Sequence, residues 1–130
     1  MPMATWSDFV AADPELARAA TSLLTVPGTG YGYLATVGRT GAPRVHPVMP
    51  VWAAGAMVLF VSPSPKLADL VRDGRYALHS AGSQDVDDEL MVAGRAIVRD
   101  GDDALHAAAS AASPFIPPPD SVLVELLLDR

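Results

Sequence analysis

Short strand-like runs at close spacing, joined by hairpin-length turns and broken by only a few helices, predict a mainly β fold: a small barrel with helices packed on its outside. Two further observations support this reading. The strands do not alternate with long helices, as a doubly wound parallel sheet requires, and the sequence carries no internal repeat. At 130 residues the chain has room for one domain, 1–130, with a helical segment over 1–25 followed by the barrel and its inserted helices over 31–128.

The elements follow in order. Ser7 is placed to cap a helix over 8–24, in which Phe9, Leu16, Ala20, Leu23 and Leu24 fall near helical spacing, and Pro14 suits the first turn of a second segment. Residues 25–30 form a turn-rich break. Strands are expected over 31–37, 44–52 and 57–62, linked by Gly38-Arg39-Thr40-Gly41 and by Ala53-Ala54-Gly55, both short enough for hairpins. A short helix then starts with Ser64 as cap and Pro65 at the first position, placing Leu67, Leu70 and Val71 along one face. Asp73-Gly74 closes it, with Gly74 in the left-handed conformation that ends many helices. Further strands are read over 75–80 and 89–99 and a helix over the Ala-rich 102–112. A proline-rich extended connector over 113–120 leads into a last strand over 121–128.

Composition narrows the function. Half of the residues are apolar and the mean hydropathy is +0.25, which excludes a disordered chain. A chain of this size buries about two-thirds of its unfolded surface. The absence of cysteine excludes a disulfide framework, a thiolate zinc site and a cysteine nucleophile. A net charge of −6 argues against a nucleic-acid partner, since phosphate contact needs clustered Lys and Arg. Residues 1–12 lack the basic flank and apolar run of a signal peptide. The longest apolar run, 48–61, is interrupted by Pro50 and Gly55 and falls short of the ~18–20 residues a membrane span needs. The expectation is a soluble, cytoplasmic protein without a membrane partner.

Most familiar chemical motifs are missing. Gly28-Thr29-Gly30-Tyr31-Gly32 lacks the dinucleotide-binding spacing and leads into a strand rather than a helix. There is no Walker motif, nucleophile elbow or HExxH sequence. His46, His79 and His106 are far apart and show no metal-ligand spacing, so they read as structural and no metal site is expected. Asp85, Asp87, Asp88 and Glu89 lack the alternation and glycine of a calcium loop and read as a solvated turn. Trp52 and Tyr33 read as buried strand aromatics rather than a stacking platform.

Charge is more informative. Between residues 39 and 75, five cations (Arg39, Arg44, Lys66, Arg72, Arg75) face two anions (Asp69, Asp73) in an otherwise acidic chain. Lys66 falls at the second position of the expected helix, where the macrodipole disfavours a cation. A phosphate held between its ammonium, the free amides of the first turn and the hydroxyls of Ser62 and Ser64 reverses that penalty. A solvated lysine that absorbs a penalty of ~0.3–1 kcal/mol is the alternative.

The segments Tyr33-Leu34-Ala35-Thr36-Val37, Pro43-Arg44-Val45-His46-Pro47-Val48, Phe60-Val61-Ser62-Pro63-Ser64-Pro65-Lys66-Leu67-Ala68-Asp69-Leu70, Asp73-Gly74-Arg75-Tyr76-Ala77-Leu78 and Gly94-Arg95-Ala96 together resemble the pyridoxamine 5'-phosphate oxidase-like, flavin-binding split β-barrel superfamily. The resemblance covers about residues 8–128. It implies a homodimer with two equivalent flavin sites at the subunit interface. It also implies that Arg44, Val45, His46 and Pro47 run along the edge of the flavin ring, largely through backbone groups, and that Ser62, Ser64 and Lys66 hold the cofactor phosphate. No side chain is assigned as a catalytic acid or base.

The sequence has no Trp after Trp52 and ends at Arg130, and it is not expected to be a pyridoxamine phosphate oxidase proper, whose C-terminal segment carries aromatic and basic residues that close over flavin and substrate. The resemblance is to the short bacterial members, some of which use FMN and others a deazaflavin coenzyme. Heme-binding relatives also occur, but no histidine stands out here as an axial ligand. The function it implies is an FMN-dependent oxidoreductase acting on a small substrate. The alternatives are a deazaflavin-dependent reductase of the same fold and a non-catalytic flavin- or ligand-binding dimer. The long anionic tail of the deazaflavin calls for an extended basic groove, and a single modest cluster favours FMN.

Overall fold

Seven strands form one antiparallel sheet whose spatial order differs from the chain order. The computed structural model describes residues 3–25, 32–81 and 88–129. Its elements are α1 (Trp6–Ala12), α2 (Pro14–Leu24), β1 (Gly32–Val37), β2 (Pro43–Val48), β3 (Val51–Ala53), β4 (Ala56–Val61), α3 (Pro65–Arg72), β5 (Arg75–Ser80), β6 (Met91–Val98), α4 (Asp103–Ala112) and β7 (Val122–Leu128). The sheet runs β2-β1-β5-β6-β7-β4-β3. Its two edge strands, β2 and β3, are therefore neighbours in sequence, separated only by Met49 and Pro50. Three Cα–Cα steps reach no more than about 11 Å, so the sheet has to curl until its edges meet. The result is a split half-barrel with four helices.

The single strand expected over 44–52 is thus two strands. Pro50 has no N–H to give a ladder, and the chain crosses there from one sheet edge to the other. The β3–β4 hairpin is the expected tight one, with Ala54 (φ 51°) and Gly55 (φ 78°) both at positive φ, as the right-handed twist of a two-residue hairpin demands.

The N-terminal helix is also divided. Thr5, not Ser7, is the N-cap: its hydroxyl accepts from Asp8 N while Asp8 Oδ2 accepts from Thr5 N, at 3.1 and 3.0 Å. Ser7 instead donates its backbone N–H to the Gly55 carbonyl, tying α1 to the β3–β4 hairpin. Asp13 ends α1 and caps α2 through Leu16 N, with Pro14 at the first position of α2. Residues 26–31 and 82–87 lie outside the described residues. Most of the turn-rich break, the glycine-rich Gly28–Gly30 run, Asp85 and Asp87 fall there, while Asp88 and Glu89 are exposed.

Leu34, Met57, Leu59, Leu78, Val124 and Leu126 fill the concave side of the sheet, joined by Trp6 and Leu24 from the N-terminal helices. A second cluster of Val51, Val58, Leu105, Ala109 and Leu123 packs α4 against the opposite side of β3, β4 and β7. On the convex side of β2, β1, β5 and β6 no described helix lies over the sheet. Tyr33, Val45 and Met91 are 49%, 65% and 60% exposed there, beside the small side chains of Ala35, Ala77 and Ala93. Tyr33 is therefore an outward-facing aromatic, not a buried one. Trp52 is half-buried and packs edge-on against Trp6, with ring centroids 5.6 Å apart. No helix among the described residues is long and apolar enough to cross a membrane.

Gly94 is fixed by close approach. A Cβ at this position would collide with the Leu127 carbonyl oxygen, the same oxygen that accepts the Tyr76 hydroxyl at 2.9 Å. Gly94→Ala therefore forces β6 away from β7 and should destabilise the fold by about 1–3 kcal/mol, the usual size of an overpacking defect. Thermal unfolding checks this, and an unchanged Tm would show that the two strands are not so tightly apposed.

Candidate functional site

Strand alternation sorts the side chains of β2. Arg44 and His46 face the concave side with Thr36 of β1, whereas Pro43, Val45 and Pro47 face the convex side. Helix α3 packs against β1 and β6, with Ser64 and Lys66 at its start, Asp69 turned toward Thr36 and Arg72 in its last turn.

The start of α3 forms as the sequence predicts. Ser64 is the N-cap: its hydroxyl accepts from Leu67 N at 3.3 Å and donates to the Ser62 carbonyl at 2.9 Å. The Ala68 amide bonds the Ser64 carbonyl at 3.1 Å, and Pro65 carries no N–H. The Ser64 hydroxyl is thus engaged in the cap. The Lys66 amide and ammonium and the Ser62 hydroxyl remain without a partner among the described residues. Lys66 is half-buried, and burial holds its ammonium pKa below the ordinary value.

The face of α3 departs from the expected one. Val71 points outward, 66% exposed, and Asp69 takes the buried place with Leu70. The reason lies in the partners of its carboxylate. Asp69 Oδ1 accepts from Arg72 at 2.8 Å, and Oδ2 accepts from the Thr36 hydroxyl at 2.8 Å and lies 3.0 Å from Arg44 Nε. Burial alone would raise the Asp69 pKa. Hydrogen bonds from Arg72 and Thr36 and the charges of both guanidinium groups outweigh that and hold it below the usual carboxylate range. Sequence reasoning identified Arg44 but missed Asp69. The Asp69–Arg72 spacing along the helix was a readable signal, while the burial of the carboxylate was not.

His46 lies beside this cluster, its Nε2 3.2 Å from Thr36 Oγ1. Burial lowers its pKa first, and the positive charge of Lys66 lowers it further, against an opposing pull from Asp69. His46 and Lys66 are therefore electrostatic neighbours. Thr36, Arg44 and Arg72 gather around Asp69, and Lys66 acts on His46 from the helix start, where Ser62 and Ser64 adjoin it. The side chains of Val45 and Pro47 lie on the other face of β2, which leaves only their backbone available on this side. The group comprises Arg44, Lys66 and Arg72 against Asp69, an excess of two positive charges. Arg75 is taken up at the far end of α3 by Asp73, 2.7 Å away. Among the described residues no group of three or more His, Asp or Glu could hold a metal ion.

Comparison with solved structures places this architecture. A heme binding protein from Mycobacterium smegmatis aligns at 28% identity and a TM-score of 0.61 over 83% of this chain, which spans half the length of that protein. An F420 reductase aligns at 20% identity and a TM-score of 0.59, over 78% of this chain and 88% of its own. A candidate pyridoxamine 5'-phosphate oxidase from Lactobacillus delbrueckii aligns at 22% identity and 0.64, over 83% and 85%. The chain shares the split-barrel fold of these proteins. No protein-family model and no curated protein matches its sequence. The fold thus houses heme-binding and reductase proteins alike, and the split barrel alone does not choose between them.

The carboxylates of this split barrel make its stability acid-sensitive. Side-chain hydrogen bonding to Arg75 holds the Asp73 carboxyl down at about 2, and Asp69 is also held low. For a depressed carboxyl the stabilisation is complete above the unfolded value of 3.8 and disappears as pH falls through the folded value. Denaturant titrations should therefore show a first fall in stability below about pH 6.5, where the unfolded chain protonates His46 and the folded one resists it, and a second below about pH 4 that continues toward pH 2. Asp73→Asn should remove part of that fall.

Proposed function

We propose that this split barrel is an FMN-binding oxidoreductase that works as a cytoplasmic homodimer on a small, flat substrate, with the cofactor phosphate at the start of α3. One observation carries the reading. The half-buried Lys66 ammonium and its own free amide stand at a helix N-terminus within a cluster bearing two excess positive charges. A phosphomonoester of about −1.5 to −2 charge complements that excess. It also removes the conflict between Lys66 and the helix macrodipole. The residues present therefore fit the group: Lys66 through its amide and ammonium, with Ser62 and Arg44 flanking. The compactness of the cluster favours FMN over a deazaflavin with an extended anionic tail.

Other features support the remaining parts. β2 is an edge strand, so alternate backbone groups along Arg44, Val45, His46 and Pro47 face away from β1 and are free to bond the edge of a ring. A bound flavin supplies the hydride chemistry. The protein's part is to orient it, and the Val45 amide, the outward backbone donor of β2 since Pro47 has no N–H, favours negative charge at the ring edge. The uncovered convex face, with Tyr33, Val45, Ala77 and Met91, is suited to a second copy, since a twofold contact needs one self-complementary patch. Heme binding is a second reading, favoured by the 28% identity to the heme binding protein.

Fluorescence titration tests the cofactor assignment. Wild-type protein should bind FMN, and Lys66→Ala should weaken binding at least about tenfold, the loss of one charge-assisted contact, with an unchanged circular dichroism spectrum. Equal affinity in the two proteins would remove the phosphate from α3. No FMN binding together with a heme absorption band on hemin addition would replace the flavin reading with the heme one. In sedimentation, a Tyr33→Asp, Val45→Asp double variant should run as a monomer while the wild type runs as a dimer.

A further inference from the structure

Thr36 sits between an imidazole and a carboxylate with a single hydroxyl proton. The Asp69 carboxylate, flanked by Arg44 and Arg72, carries no proton and can only accept. Thr36 Oγ1 donates to Asp69 Oδ2 at 2.8 Å. Toward His46 Nε2, 3.2 Å away, the same oxygen can then only accept. Nε2 must therefore carry a proton. Burial and the neighbouring Lys66 and Arg44 charges keep the imidazole neutral at physiological pH, against Asp69 alone, so the remaining lone pair lies on Nδ1. No described residue partners Nδ1.

We propose that Asp69 is a positioning residue that acts through Thr36 to hold His46 as the Nε2–H tautomer, leaving Nδ1 as a hydrogen-bond acceptor near Lys66, so that the site selects a ligand bearing a hydroxyl or N–H donor next to its anionic group. The ligand half of this proposal rests on the phosphate reading of the Lys66 site, and the tautomer half does not. The relay has the logic of an outer partner fixing an imidazole that meets a ligand with its other nitrogen. A polyol phosphate satisfies both halves of the site, through its phosphoryl group at Lys66 and a neighbouring hydroxyl at Nδ1. A fully ionised inorganic anion satisfies only the first.

Nitrogen NMR of the ligand-free full chain reads the tautomer directly, with the three histidines assigned by single substitution. The wild type should show a protonated, pyrrole-type Nε2 and a pyridine-type Nδ1 at His46. Thr36→Val keeps the side-chain shape but removes the relay, and should give a mixture of tautomers. Asp69→Asn offers an amide donor to Thr36, frees the hydroxyl proton for Nε2 and should shift the ring toward Nδ1–H. An equal mixture of tautomers in Thr36→Val should also lower FMN affinity about twofold, while leaving the affinity for sulfate, which has no proton to donate, unchanged. A wild-type ring protonated on Nδ1, or a Thr36→Val protein with the wild-type tautomer, would overturn the proposal. Equal loss of FMN and sulfate would reduce Thr36 to a packing role and overturn its ligand half. If wild type binds no FMN, the cofactor reading fails, and the tautomers of wild type and Thr36→Val still decide the role of Asp69. If Asp69→Asn does not fold, Thr36→Val decides alone.

Discussion

The shape of the molecule depends on the two-residue connection between β2 and β3. Because these strands occupy opposite edges of the sheet, Met49 and Pro50 can join them only if the sheet curls back on itself. The curl creates a concave side that the core side chains fill, and it leaves β2 as an edge strand at the seam. An edge strand keeps half of its backbone groups unpaired. Side chains of β2 that point inward near its ends are not fully covered by a neighbouring strand. Both consequences place Arg44 and His46 where a ligand can reach them, next to the first turn of α3.

Asp69 turns this location into an organised site. A carboxylate removed from water needs donors for its lone pairs, and Thr36, Arg44 and Arg72 provide them from two strands and one helix. The same contacts set the rotation of α3 about its axis, which explains why an aspartate is buried and Val71 is left in solvent. They also hold Arg44 in place, so that its charge contributes to the local excess without being free to swing toward a ligand. Lys66, which has no such partner, is the cation left to meet an anion.

The fold neighbours differ in what they are named for, and the split barrel explains how that is possible. Most of the core comes from β1, β4, β5, β6 and β7, whereas candidate ligand contacts come from an edge strand and a helix start. Those positions carry little of the packing, so their chemistry can vary while the barrel persists.

Much of the fold was legible in the sequence because it rests on local chemistry. Ser64 before Pro65 started α3, Gly74 ended it, Ala54-Gly55 made a hairpin, and alternating apolar runs marked the strands; each depends on backbone preferences of a few adjacent residues. The misplacements have physical causes of longer range. Pro50 divided an apparently continuous strand because the chain changes sheet edge there. Thr5 displaced Ser7 as cap because Asp8 completes its capping box and Gly55 claims the Ser7 amide. In the site, Lys66 at a helix start could be read from spacing alone, as could the cationic bias of the central segment. Neighbouring residues alone dictate which side chains can carry charge toward a ligand and where the helices and turns begin. Which of those charges are neutralised emerges on folding, because the meeting of Asp69 with Thr36, Arg44 and Arg72 depends on contacts between elements far apart in the chain.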